Sequence, residues 1–205
     1  MKLKLVLLLF VNLVHINAAE LEAQMDACNK GDDKRCYEAG MVLTTGKNSE
    51  DQDKRVLGLE YMRKACGGGV KEACHAMAEN HYINKHYTAA KPYLKMSCND
   101  GVVFACASLG TMYRDAQEVI QDDTLAREYY EKACEGGEKD SCINVAIMYR
   151  GGFGVPKDRN KEKLFYKKAC VAGSEAGCKQ YSRMDNEDKG IEEEGFFDMI
   201  VNFFK

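Results

Sequence analysis

The chain has 205 residues and carries 29 Lys and Arg against 32 Asp and Glu, a formal net charge of −3. That length suits one ordinary domain or a short array of repeats. The mildly acidic balance excludes a dedicated nucleic-acid binder, which would carry a basic patch, and with only two Pro there are no Pro-rich linkers.

Residues 1–19 differ from the rest. Lys2 and Lys4 give a positive start, residues 5–14 form an apolar run broken by Asn12, and Ala18 and Ala19 offer small residues for cleavage. This reads as a signal peptide. The alternative, an uncleaved anchor, is disfavoured because the run is about ten residues, short of the roughly 20 that span a bilayer. No later segment is apolar enough to span, so the mature chain is expected not to be transmembrane. All ten cysteines lie beyond the leader. Export and an even cysteine count point to disulfides in an oxidising compartment, secreted or periplasmic, with none left over as a nucleophile.

Residues 20–27 read as a short helix before the first of five cysteine pairs: Cys28/Cys36, Cys66/Cys74, Cys98/Cys106, Cys134/Cys142 and Cys170/Cys178. Each pair follows C-x2-G-x4-C, with Gly31, Gly69, Gly101, Gly137 and Gly173 in register. The first cysteines are 38, 32, 36 and 36 residues apart. A period of this size marks a helical solenoid. Tyr61, Tyr93, Tyr129 and Phe165 recur five places before a first cysteine; Tyr113 and Tyr149 recur after a second one. Ala65, Ala133 and Ala169 read as close-packing positions. The apolar spacing is helical, so each repeat holds two helices. The inner loop is clearest at 151–158 (GGFGVPKD), where glycines end one helix, Pro156 prevents its continuation and Asp158 caps the next.

The glycine between each pair of cysteines sits where a helix end needs a left-handed residue. The reversal there brings each cysteine to the partner eight places on. Residues 44–54 (TTGKNSEDQDK) read as a longer exposed loop, and Asn84-Lys85 as a tight turn in the short second period. Residues 191–205 place Phe196, Met199, Ile200, Phe203 and Phe204 on one helical face, as a helix that caps the last repeat or docks on a partner or membrane surface. The domain reading is therefore 1–19 signal peptide, 20–185 five repeats and 186–205 C-terminal helix.

The stretch KAC-x2-G-x4-C-x6-MY-x2-G-x-GV-x-KD resembles a Sel1-like repeat, and the paired cysteines make the chain similar to the cysteine-rich Sel1-like repeat proteins of the Helicobacter type over about residues 26–185. The resemblance implies an all-α, right-handed α/α superhelical solenoid with one local disulfide per repeat. Proteins of that family are named as β-lactamases or penicillin-binding proteins, so it also implies binding and slow hydrolysis of β-lactams. The residues themselves supply no such chemistry. Serine β-lactamases use S-x-x-K and K-T-G, yet Ser49, Ser97, Ser108, Ser141, Ser174 and Ser182 all lack a lysine three places on. His75, His81 and His86 do not share a helix face, so no metal site and no cofactor are expected, and no catalytic residue is assigned. The other reading is a non-catalytic scaffold whose concave face holds a peptide, a cell-wall fragment or a protein of the envelope or of a host. Candidate ligand-binding residues are Tyr113, Asn144, Tyr149 and Arg150; Asn144 would hold a peptide backbone or terminal carboxylate through its carboxamide, by analogy with tetratricopeptide clamps.

Overall fold

A computed structural model describes residues 18–45, 48 and 50–190. Most of the expected signal segment, Ser49 and the expected helix at 191–205 lie outside the described residues. The described residues form ten α-helices and no strand: α1 (Ala18–Asn29), α2 (Asp33–Thr44), α3 (Gln52–Gly67), α4 (Lys71–Ile83), α5 (Tyr87–Asn99), α6 (Val103–Arg114), α7 (Asp123–Glu135), α8 (Lys139–Gly151), α9 (Arg159–Val171) and α10 (Glu175–Asp188). They fall into two compact units, Met1–Ala105 and Cys106–Lys205, divided in the first turn of α6.

One turn recurs after α1, α3, α5, α7 and α9. At its fourth occurrence the Gly137 N–H donates to the Cys134 carbonyl and the Glu138 N–H to the Ala133 carbonyl, both at 3.0 Å. This is a Schellman closure, which needs a left-handed residue just past the helix. Gly137 supplies it at φ +90°, and Gly31, Gly69, Gly101 and Gly173 do the same at +87° to +98°. The residue after the glycine is also the N-cap of the next helix. Asp32 accepts from the Arg35 N–H and Ser174 from the Gly177 N–H, each at 3.1 Å. Two helices are thus joined with no slack, and the paired cysteines face each other across the joint. Their Cα atoms are 4.3–4.8 Å apart in the four bridges Cys28–Cys36, Cys66–Cys74, Cys134–Cys142 and Cys170–Cys178. Cys98 and Cys106 are also disulfide-bonded, and no cysteine is free.

The links within the repeats vary. Asn84, Lys85 and His86 connect α4 to α5, with Lys85 at φ +60°, which makes the tight turn expected there. The segment 44–54 differs from the loop expected. Thr44 belongs to α2, and residues 52–54 form the first turn of α3, which runs to 16 residues against 13 in α5, α7 and α9. The cause is Asp51, an N-cap whose carboxylate accepts from the backbone of Asp53 and Lys54. The extra length therefore goes largely into a helix.

Alanine and glycine let the helices approach closely. Ala65, Ala133 and Ala169 are wholly buried, as are Ala39, Ala126 and Ala146. In the first unit α2 crosses α3 at Gly40 and Gly58; a Cβ on Gly40 would lie 2.9 Å from the Gly58 carbonyl oxygen. In the second unit Leu109, Met112, Tyr130 and Val145 fill the interior.

The loops 115–122 and 152–158 are built alike. The Asp122 N–H donates to the Tyr113 carbonyl and the Asp158 N–H to the Tyr149 carbonyl, each at 3.1 Å. Asp122 and Asp158 then cap α7 and α9. Gly152 (φ +78°) and Gly154 (φ +63°) take left-handed conformations in one loop; Ala116 (φ +53°) and Glu118 (φ +52°) take them in the other, where a Cβ makes them strained. Replacing Ala116→Gly should relieve that strain and raise unfolding stability by up to about 1 kcal/mol; an unchanged or lower urea midpoint would show that the loop tolerates the Cβ. Removing one staple by Cys134→Ser with Cys142→Ser should cost about 2.5 kcal/mol by the chain-entropy estimate for so short a loop. A loss near zero in the same titration would show that glycine and backbone hydrogen bonds already fix the turn.

Candidate functional site

The second unit holds a cleft of about 300 Å³. Its walls come from the C-terminus of α6 (Arg114), the loop into α7 (Gln121), the first residue of α7 (Asp123), the middle of α8 (Asn144, Ile147, Met148) and the loop after α8 (Phe153). Asn144, Ile147 and Met148 share one face because three or four residues make a helical turn. Phe153 is held over the end of α8 by the left-handed Gly152 and stays half exposed at 50%. The same loop rests on α7: the Thr124 hydroxyl donates to the Gly154 carbonyl at 3.3 Å, and a Cβ on Gly154 would collide with the backbone of Asp123.

The polar wall is organised by Arg114. Its Nε and Nη2 donate to the two carboxylate oxygens of Asp115 at 2.6 and 2.9 Å, and this bidentate pair holds the Asp115 carboxyl below its usual range. The remaining Nη1 donates to Asn144 Oδ1 at 3.4 Å. That leaves the Asn144 amide NH2 with no partner among the described residues. Gln121 Nε2 donates to Asp123 Oδ1 at 3.3 Å. The cleft thus offers an uncommitted amide donor, positioned by a charge-neutralised Arg114, and an apolar wall of Ile147, Met148 and Phe153. That combination suits a short length of peptide, with one apolar side chain inserted and one backbone carbonyl held.

Of the four residues expected from sequence, Asn144 lines this cleft. Tyr113 and Tyr149 are buried and stack on the recurrent aromatics of the following helix. Tyr113 lies 5.8 Å from Tyr129 with the rings 6° from parallel, and Tyr149 lies 5.7 Å from Phe165 at 14°. The Tyr149 hydroxyl donates to Glu131 Oε1 at 3.1 Å. Arg150 is exposed beyond the cleft wall. Arg114 and Phe153 were not singled out in the sequence, although Arg114 stands in the same repeat register as Arg150 and Phe153 interrupts a glycine-rich loop.

The stack has a third copy in the first unit, with histidine as one partner. His81 occupies the register of Tyr113 and Tyr149 and lies 5.7 Å from Tyr93 at 18°. Burial and the neighbouring His86 ring hold His81 below the ordinary imidazole value of 6.5. Among the described residues no group of three His, Cys, Asp or Glu is placed to hold a metal ion, and Ser97, Ser108, Ser141 and Ser174 are buried.

The stack carries a pH prediction. A depressed His81 leaves the folded state neutral while the unfolded chain takes up a proton. The contribution is therefore intact above pH 6.5 and is lost as pH falls below it. Between about pH 7 and about pH 5.5 the wild type should lose stability more steeply than His81→Tyr, which restores the ring of the other stacks. Equal slopes in urea titrations at each pH would show that the stack does not perturb His81.

The Sel1 repeat family matches residues 36–70, 103–138 and 139–174. Cytochrome c oxidase assembly factor 7A of Xenopus laevis is 38% identical over 107 residues, which cover 48% of this chain and 46% of that protein. The chain thus spans about half the length of the curated relatives it matches. Among solved structures, c5321, a protective antigen of uropathogenic Escherichia coli with an SLR fold, superposes with a TM-score of 0.70 at 18% identity, over 85% of this chain and 38% of that one. Cysteine-rich protein B of Helicobacter pylori gives a TM-score of 0.48 at 29% identity, over 66% of this chain and 97% of that one.

Proposed function

This chain belongs to the Sel1 repeat family, whose pattern covers more than half of it, and from that premise we propose that it is a non-catalytic scaffold that grips a peptide segment of another protein. The observation that carries this reading is the Arg114–Asn144–Phe153 cleft, in which an uncommitted amide donor stands beside an apolar wall. A relative named as an assembly factor points the same way, toward action on other proteins. The compartment is an oxidising one, in keeping with five disulfide pairs; we place the mature chain outside the cytoplasm, secreted or periplasmic. β-Lactams and cell-wall fragments share an amide and a carboxylate with a peptide end, so the same cleft is where they would compete.

Panning the oxidised protein against a displayed random-peptide library tests the reading. The expected result is a consensus containing one apolar anchor, with Asn144→Ala and Phe153→Ala each weakening binding of the selected peptide at least tenfold. Enrichment that survives both substitutions would place recognition elsewhere. Saturable, fold-dependent β-lactam turnover by the same preparation would replace the scaffold with an enzyme.

A further inference from the structure

The first unit contains a second, larger groove of about 510 Å³. It runs along one face of α4, bounded by α2 and α3. Its floor is apolar and flexible, made by Met41, Leu59, Met62 and Ile83; Ile83 is 64% exposed, an uncovered aliphatic at the groove's end. Two methionines in such a floor allow it to repack around different side chains. Along α4 the groove carries Glu72 and Glu79, seven residues and two helical turns apart, or about 10 Å along the axis.

These two carboxylates are exposed and have no ion-pair partner among the described residues. Lys71, next to Glu72 in sequence, is committed elsewhere. Lys71 Nζ pairs with Asp100 Oδ1 at 2.6 Å, and His75 Nε2 lies 3.6 Å from Asp100 Oδ2. The lining of the groove thus carries two carboxylates and no lysine or arginine, while the adjoining Lys71 is held by Asp100. An apolar floor with a one-sided acidic rim needs an occupant of opposite charge and matching apolar face.

We propose that this groove is a docking site for a cationic amphipathic peptide segment, one that lays aliphatic side chains on Met41, Met62 and Ile83 and pairs two basic side chains, two helical turns apart, with Glu72 and Glu79. The site is separate from the Arg114–Asn144–Phe153 cleft and differs from it in charge. It gives the scaffold a second specificity, for basic segments. The charge pairing sits at the rim, so it sets association rate and salt dependence, while the apolar floor supplies the residence time.

The test uses three fluorescein-labelled synthetic helical peptides and the oxidised protein. One peptide carries Leu on one face and Lys at the spacing of Glu72 and Glu79; the second replaces Lys with Glu; the third replaces Leu with Ser. Fluorescence anisotropy should show saturable binding of the Lys–Leu peptide alone, weakened at least fivefold on raising salt from about 0.05 to about 0.3 M. Glu72→Gln with Glu79→Gln should weaken it at least tenfold, and Met41→Ser with Ile83→Ser should do the same. All four residues are at least partly exposed, and an unchanged thermal midpoint verifies that the variants fold. Asn144→Ala and Phe153→Ala should leave this binding unchanged. Absence of binding, or binding indifferent to the Glu72 and Glu79 changes, overturns the inference. Loss of binding in the Asn144 or Phe153 variants would assign the peptide to the other cleft, overturning this proposal while leaving the scaffold reading in place.

Discussion

The structure depends on one turn made five times. A helix ends in a Schellman closure on a left-handed glycine, the next residue starts the following helix, and a disulfide spans the joint. Each part constrains a different quantity. The glycine permits the backbone path, the two hydrogen bonds satisfy carbonyls that a helix end otherwise leaves open, and the sulfur bridge removes alternative paths from the unfolded chain. Because the joint has no spare residues, the angle between successive helices is fixed locally. The wholly buried alanines and the Gly40–Gly58 crossing then bring helix surfaces into contact. In the first unit, the joint at Cys66–Cys74 fixes where α4 stands beside α3, and so where Glu72 and Glu79 meet the methionine floor. In the second, the joint at Cys134–Cys142 holds α8 against α7 and sets the cleft wall.

Much of this was legible from sequence because the repeat prints it several times. The pairing of Cys28 with Cys36, the left-handed Gly137, the Asp158 cap and the packing alanines are short-range consequences of residue type and spacing. The 44–54 segment is less legible: its polar composition looks like a loop, yet Asp51 is a capable N-cap and the residues after it extend α3. The site was harder. Tyr113 and Tyr149 stood out because they recur, but recurrence reflects a shared packing role, and each proves to be half of a ring stack. Binding residues need not recur. Phe153 and the pair Glu72 and Glu79 are what individual repeats do differently, and a periodic reading averages such differences away.

The two grooves show how one backbone plan carries unlike chemistry. In the second unit Arg114 is neutralised by Asp115, and its outer edge only orients the Asn144 carboxamide. The result is a wall that discriminates by hydrogen bonding. In the first unit Asp100 gathers Lys71 and approaches His75, and the acidic residues on the groove side stand unmatched. There discrimination comes from charge. Neither arrangement alters the helices that support it, so side chains facing the grooves are free to diverge while the joints are held.

The sequence separation of eight residues in Cys28–Cys36, Cys66–Cys74, Cys134–Cys142 and Cys170–Cys178 also governs how the molecule is made. A cysteine that emerges from a ribosome or a translocation pore meets its own partner eight residues later, long before the next pair is exposed. Contact across so short a loop takes well under a microsecond, far faster than chain elongation. Each cysteine therefore finds its own partner far more often than any distant one, which favours the local pairing whenever an oxidant acts. The chain carries ten cysteines, yet the local separation makes each native pair the one of highest effective concentration, which disfavours scrambled intermediates.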